Sequence, residues 1–181
     1  NDCVYVDKTE LIYRLTHTNK VYFLSRPRRF GKSLLVSTLE AYFLGKKELF
    51  QGLAMETLEK DWTVYPVLHF DFSVSKYITA DMLSAVINRQ LLLWEKIYQR
   101  EEGETTFSLR FEGIIRRAYK QTGKQVVVLI DEYDSPMMIS SFGNMLVPPK
   151  LTPFITIWSA LKSVGFTYTV TPLESTNLVV P

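Results

Sequence analysis

The spacing of apolar residues alternates between two patterns along the chain, and this alternation predicts an α/β fold. Short segments rich in β-branched and aromatic residues, typical of buried strands, occupy Val21–Leu24, Val67–Phe72 and Gln125–Ile130. Apolar residues at helical spacing occupy Ser33–Leu44, Asp81–Arg100 and Phe107–Gln121. The order of these elements predicts a three-layer α/β/α domain with a mainly parallel sheet.

Two shorter helices are predicted from local signals. Asp7 stands three residues before Glu10 and just ahead of an apolar-periodic stretch. This arrangement resembles a capping box with Asp in the place of Ser or Thr, and it predicts a first helix that ends near Asn19. A second short helix is predicted at Ala54–Glu59.

The longest predicted helix, Asp81–Arg100, carries an apolar stripe that we assign to core packing. The alternative is a face that binds a partner. The stripe consists of Met82, Leu83, Val86, Ile87, Leu91, Trp94, Ile97 and Tyr98, and the polar residues predicted opposite it are Asn88, Arg89, Glu95 and Lys96.

The segment Ser25–Leu35 carries the clearest chemical signal. It reads Ser-Arg-Pro-Arg-Arg-Phe-Gly-Lys-Ser-Leu-Leu and lies between a predicted strand and a predicted helix. A Gly-Lys-Ser triplet in that setting binds phosphate through loop N–H groups and the helix dipole. Lys32 would reach the β- and γ-phosphates, and the Ser33 hydroxyl would hold Mg²⁺. Arg26 stands where the usual G-x-x-x-x-G-K-[ST] pattern has its first Gly.

The loop defines a set of candidate nucleotide-binding residues. They are Arg28, Arg29, Phe30, Gly31, Lys32, Ser33 and Leu34. The sequence leaves open whether the loop arginines neutralise triphosphate charge, contact a nucleic-acid backbone or pair with carboxylates elsewhere. An Arg fork suits phosphate oxygens, which favours the first interpretation over contact with nucleic acid.

A second signal follows the last predicted strand, which ends in Asp131-Glu132. Carboxylates at the C-terminal end of a parallel strand lie at the ligand-binding edge of an open α/β sheet. Asp131 would hold the Mg²⁺ shell, and Glu132 would be the catalytic residue that polarises the attacking water, with Lys32 stabilising charge. Asp71, at the end of the middle strand, either orients that water or is a plain strand-end carboxylate.

Four segments together resemble the predicted AAA-ATPase-like family of mostly bacterial proteins. They are Tyr5–Ile12, Phe23–Leu35, His69–Ser73 and Leu129–Pro136. In that family Arg-Pro-Arg-Arg-Phe-Gly-Lys-Ser is the normal form of the loop. The resemblance covers residues 5–136 and implies a P-loop NTPase of the catalytic-glutamate division that binds ATP with Mg²⁺ and hydrolyses it.

The resemblance also implies partners and alternatives. ATPases of this type often use an arginine from a neighbouring subunit, so a homo-oligomer is expected. Full-length members often carry a nuclease-like domain that is not present here, which makes nucleic acid a second expected partner. The alternative functions are a nucleotide-binding regulatory or interaction module without useful hydrolysis, and a DNA-associated module of a nuclease-linked protein.

Beyond residue 136 the resemblance fades, and we expect residues 137–181 to be a truncated or divergent end that leaves the fold incomplete. A helix is predicted at Pro153–Val164 and a strand at Phe166–Val170. Thr169 or Thr171 would take the place of the polar residue that helps to position the attacking water in the family.

Composition narrows the class of protein further. The 181 residues predict a single domain, and a net charge of +2 is too small to imply a polyanion partner. The single Cys3 excludes an internal disulfide and agrees with a reducing cytoplasm. No apolar run approaches the ~20 residues that cross a bilayer. We therefore expect a cytoplasmic protein without a membrane partner.

Overall fold

The computed structural model describes residues 6–18, 31–72 and 80–131. These residues divide into two units, one ending at Val64 and the other starting at Tyr65. The predicted strand at residues 21–24, the loop at 25–30 and the predicted elements at 153–164 and 166–170 lie outside the described residues. None of the described helices combines the length and the apolar character needed to cross a membrane.

The first unit is helical in its described part, and the predicted helices are confirmed. Its elements are α1 (Thr9–Thr18), α2 (Lys32–Phe43), a 3-10 helix (Lys47–Phe50) and α3 (Ala54–Leu58). Ile12, Tyr42, Phe50 and Met55 form its buried core. The indole of Trp62 packs on this core, with ring centroids 5.2 Å from Phe50 and 6.1 Å from Tyr42.

Asp7 and Thr9 join the starts of two helices that are far apart in sequence. Asp7 accepts hydrogen bonds from Thr9 N and from Ala54 N, both at 2.8 Å. The Thr9 hydroxyl donates to Asp7 at 2.7 Å and accepts from Met55 N at 3.0 Å. The predicted capping box is wrong in its second half, because Glu10 pairs with Arg14. Asp7 and Thr9 therefore cap α1 and α3 together.

The second unit, in its described part, is an α/β arrangement with a two-stranded parallel sheet. Its elements are β1 (Val67–Asp71), α4 (Ala80–Tyr98), α5 (Phe107–Thr122) and β2 (Val127–Asp131). The two strands run parallel, with Val67 opposite Val127 at one end and Asp71 opposite Asp131 at the other. Two helices between adjacent parallel strands give the crossover connection that such a pair requires. The α/β class is therefore confirmed.

The core of the second unit is centred on the aromatic ring of Phe70. Trp94 from α4 and Phe111 from α5 meet this ring edge-on, at centroid distances of 4.7 Å and 5.3 Å. The Phe72 ring stacks on it at 5.8 Å. Phe70, Phe72 and Phe111 are almost completely buried. Aromatic contacts of this size hold both helices on one strand.

Two buried arginines of α5 form ion pairs with carboxylates that precede this helix in the chain. Arg110 donates to both carboxylate oxygens of Glu95, at 2.6 Å and 2.9 Å, and to Asn88 at 2.6 Å. Arg117 donates to both carboxylate oxygens of Glu104, at 2.5 Å and 3.0 Å. Burial raises the pKa of Glu104, but hydrogen bonds from Arg117 and the Glu101 backbone, together with the charges of Arg117 and Arg116, outweigh it, so that pKa lies below its usual value. Fully paired buried charges are costly to break.

These contacts correct the predicted stripe of α4. Asn88 and Glu95, predicted to face away from the core, contact α5 instead. Met82 and Ile97, predicted as core residues, are 43% and 63% exposed. The core residues of α4 are Leu83, Ile87, Leu91 and Trp94. The helix is therefore rotated relative to the prediction, because the buried guanidinium of Arg110 draws polar residues inward.

We expect Gly113→Ala to destabilise the chain, although Ala normally improves a helix. A Cβ on Gly113 would lie 1.7 Å from Glu104 Oε1 and 2.7 Å from Arg117 Nη1, so the buried ion pair must move apart. The expected loss in the free energy of unfolding is about 3 kcal/mol, measured by urea unfolding. The control Gln121→Ala, at an exposed position of the same helix, should be neutral or slightly stabilising. A neutral Gly113→Ala would contradict the packing described here.

We expect Asp7→Ala to lower the free energy of unfolding at neutral pH by about 2 kcal/mol, because two helix caps are lost together. Partial burial raises the pKa of Asp7, but hydrogen bonds from Ala54 and Thr9 outweigh it and the pKa is lowered. The stabilisation is therefore present above about pH 4 and is lost as the pH falls through the lowered pKa. The difference from wild type should shrink in acid. Asp61→Ala, also exposed, serves as the control.

Candidate functional site

The start of α2 is formed by the Gly-Lys-Ser triplet. Gly31 has φ 74° and ψ 21°, a left-handed conformation that L side chains rarely adopt. The first helical hydrogen bond runs from Leu35 N to Gly31 O at 3.0 Å. The backbone N–H groups of Lys32, Ser33 and Leu34 come before this first bond, so they have no acceptor within the helix.

The N-cap residue of α2 is Gly31, which has no side chain to cap the helix, and among the described residues no other side chain accepts from its first N–H groups. Thr106 caps α5 by accepting from Leu109 N at 3.3 Å, and Asp7 and Thr9 cap α1 and α3 as described above. An uncapped helix start with its positive dipole end is suited to an anion. The helix start that carries the phosphate-loop sequence thus has backbone donors that no described side chain uses.

The side chains of this turn agree with an anion ligand. No acidic residue lies in the first turn of α2, and Lys32 places a cation at the positive end of the helix dipole, which is unfavourable unless an anion binds there. The hydroxyls of Ser37 and Thr38 donate to the carbonyl of Leu34, at 3.0 Å and 2.7 Å. Ser33 is exposed, and its hydroxyl makes no hydrogen bond to another described residue.

The predicted carboxylate ligand, Asp131, lies at the end of the sheet in the second unit. Asp131 ends β2 and is 7% exposed, and its partner in register on β1 is the exposed Asp71. Because residues in register on neighbouring strands point to the same side of a sheet, Asp71 and Asp131 share one face. This places Asp71 beside the carboxylate that the sequence predicts as a metal ligand.

The predicted site residues fall into three groups. Gly31, Lys32, Ser33 and Leu34 are consecutive at the start of α2 in the first unit, and Leu34 is 57% exposed. Asp131 lies in the second unit. Arg28, Arg29, Phe30 and Glu132 lie outside the described residues. The pairing of Asp71 with Asp131 was missed because strand register depends on contacts between distant segments.

The oxygen donors at these positions fit Mg²⁺. A serine hydroxyl and a carboxylate are hard ligands, and Mg²⁺ usually takes only one or two protein carboxylates besides water and phosphate oxygens. Within the described ranges no group of three or more His, Cys, Asp or Glu side chains could enclose a metal ion. Each of these two residue types is a ligand that Mg²⁺ takes together with phosphate oxygens.

These features define an α/β protein with a phosphate-loop sequence at an uncapped helix start. The chain belongs to the AAA-ATPase-like family, described as predicted AAA-ATPase, whose model matches residues 1–161. The resemblance drawn from the four sequence segments is confirmed. Membership of this family supports a P-loop and ATP binding in this chain.

A search of curated proteins finds one relative from Azotobacter chroococcum mcd 1, named as an uncharacterized protein in the vnfD 5' region. It is 39% identical to this chain over 139 residues, which cover 76% of this chain and 27% of that protein. The chain thus spans about a quarter of the length of the relative it matches. No solved structure matches the chain.

Proposed function

We propose that the chain is the nucleotide-binding domain of an ATPase. It binds ATP with Mg²⁺ and hydrolyses the ATP, which releases the γ-phosphate. The proposed fold is the three-layer α/β/α arrangement of P-loop NTPases. The observation that carries the proposal is the uncapped start of α2, where Gly31 is left-handed and Lys32 and Ser33 follow directly. Membership of a predicted ATPase family supports the choice of ATP.

The triphosphate would bind along the loop and the first turn of α2. The N–H groups of Lys32, Ser33 and Leu34 donate to phosphate oxygens, and the Lys32 ammonium neutralises charge on the β- and γ-phosphates. Arg28, Arg29 and Phe30 precede this turn in sequence and complete the proposed phosphate-binding segment. Because the start of α2 already orients the N–H groups of Lys32, Ser33 and Leu34, these groups stabilise charge in the transition state without reorganising.

The catalytic step requires a positioned water molecule and a metal-binding pair. Ser33 and Asp131 are the proposed oxygen ligands, and the bound Mg²⁺ would supply charge neutralisation for the phosphates. Glu132 orients the attacking water and accepts its proton. Asp71 lies in register with Asp131, so its proposed role is to support the metal ligand, for instance by accepting a hydrogen bond from metal-bound water. This replaces the alternative in which Asp71 orients the attacking water.

We expect Lys32→Ala to abolish binding of Mg-ATP, because the charge that faces the phosphates is removed. Calorimetry of the wild-type chain should show a micromolar dissociation constant, and the variant should bind at least about a hundredfold more weakly. Lys46→Ala, at an exposed position beyond α2, should bind like wild type. If neither wild type nor Lys46→Ala binds, the proposal for this chain is wrong.

We expect Glu132→Gln and Asp71→Asn to affect turnover differently. Glu132→Gln should retain Mg-ATP binding and lose hydrolysis at every Mg²⁺ concentration, since the general base is removed. Asp71→Asn should raise the Mg²⁺ concentration needed for half-maximal hydrolysis and recover when Mg²⁺ is in excess. Phosphate release across a Mg²⁺ titration distinguishes them. Binding without turnover in the wild-type chain would favour the regulatory-module alternative over an active ATPase.

A further inference from the structure

The outer face of α4 carries an aliphatic row that is largely exposed in the described part of the second unit. Met82, Val86, Leu93 and Ile97 follow one another along the helix at spacings of four, seven and four residues, which places them on one face. Met82, Leu93 and Ile97 are 43%, 46% and 63% exposed. The neighbouring face of the helix is already used by the core, through Leu83, Ile87, Leu91 and Trp94.

Two cations line one side of this aliphatic row. Arg89 and Lys96 stand one heptad apart and are both exposed, and neither forms an ion pair with a described residue. Leu92, 45% exposed, lies beyond them on the same side. The helix has two carboxylates, Asp81 and Glu95. Glu95 is held by Arg110 on the other side of the helix, so it does not neutralise these cations.

The charge distribution selects among the possible occupants of this face. A second copy packed antiparallel would bring Arg89 and Lys96 of one chain next to those of the other, and like charges at such positions repel. An aliphatic row flanked by cations at heptad spacing matches an amphipathic helix with acidic flanks.

We propose that the outer face of α4 is a docking surface for an amphipathic helix of a partner protein, whose apolar stripe is flanked by carboxylates one heptad apart. The aliphatic row supplies the buried contact area, and Arg89 and Lys96 set the orientation and select an acidic partner. The surface belongs to the second unit alone and does not depend on nucleotide binding. A failure of the ATPase proposal therefore leaves this one standing.

The test uses two synthetic helical peptides of about 20 residues with the same leucine stripe. One peptide carries Glu at flanking positions one heptad apart, and the other carries Lys there. Binding of each labelled peptide to the full chain is measured by fluorescence anisotropy. We expect the Glu peptide to bind at least about tenfold more tightly than the Lys peptide. The double variant Arg89→Glu/Lys96→Glu should reverse this preference.

Two control variants distinguish binding at this surface from nonspecific hydrophobic binding elsewhere on the chain. Leu93→Asn should weaken binding of the Glu peptide, whereas Tyr119→Ser, at a position of α5 that is 56% exposed, should not. Circular dichroism checks that each variant is folded. Equal binding of both peptides, or binding unaffected by the charge reversal, would overturn the proposal. So would self-association in sedimentation that Leu93→Asn abolishes, or binding only to phosphatidylserine vesicles.

Discussion

Unpaired N–H groups at helix starts are the constraint on which the first unit is built. Each helix begins with backbone donors that its own turns cannot satisfy. The chain satisfies those of α1 and α3 with two side chains, Asp7 and Thr9, which at the same time fix the two helices against each other. Among the described residues, the start of α2 receives no such side chain. This difference between the helix starts agrees with the phosphate ligand that the loop sequence predicts at α2.

The second unit depends on a related constraint, since a guanidinium can be buried only when its donors are satisfied. Arg110 and Arg117 are buried, and each is held by a carboxylate and a further oxygen acceptor. Satisfying Arg110 requires Glu95 and Asn88 to face α5, and this sets the rotation of α4 about its own axis. The same rotation determines which aliphatic residues of α4 are left outside.

Much of the fold could be predicted from the sequence, because periodicity reports which residues are buried. The helices at Phe107–Thr122 and Ala80–Tyr98 and both described strands lie within a few residues of their predicted bounds. The face of α4 was predicted correctly in its centre but wrongly at its edges, since counting apolar residues takes no account of a buried ion pair with another helix. The candidate site could be predicted only as motifs. The register of Asp71 with Asp131 comes from strand pairing, which no local pattern encodes.

The shared cap of Asp7 and Thr9 has a consequence for where the chain can be cut. Its hydrogen bonds to Ala54 and Met55 join positions 46 and 47 residues apart, so the segment with the phosphate loop is closed at both ends. Holding the two ends of this segment together restricts the conformations that the chain between them can adopt. A fragment that begins after Thr9 would lose a short N-terminal stretch in sequence but would also release α3. Expression boundaries for this unit should therefore be set upstream of Asp7.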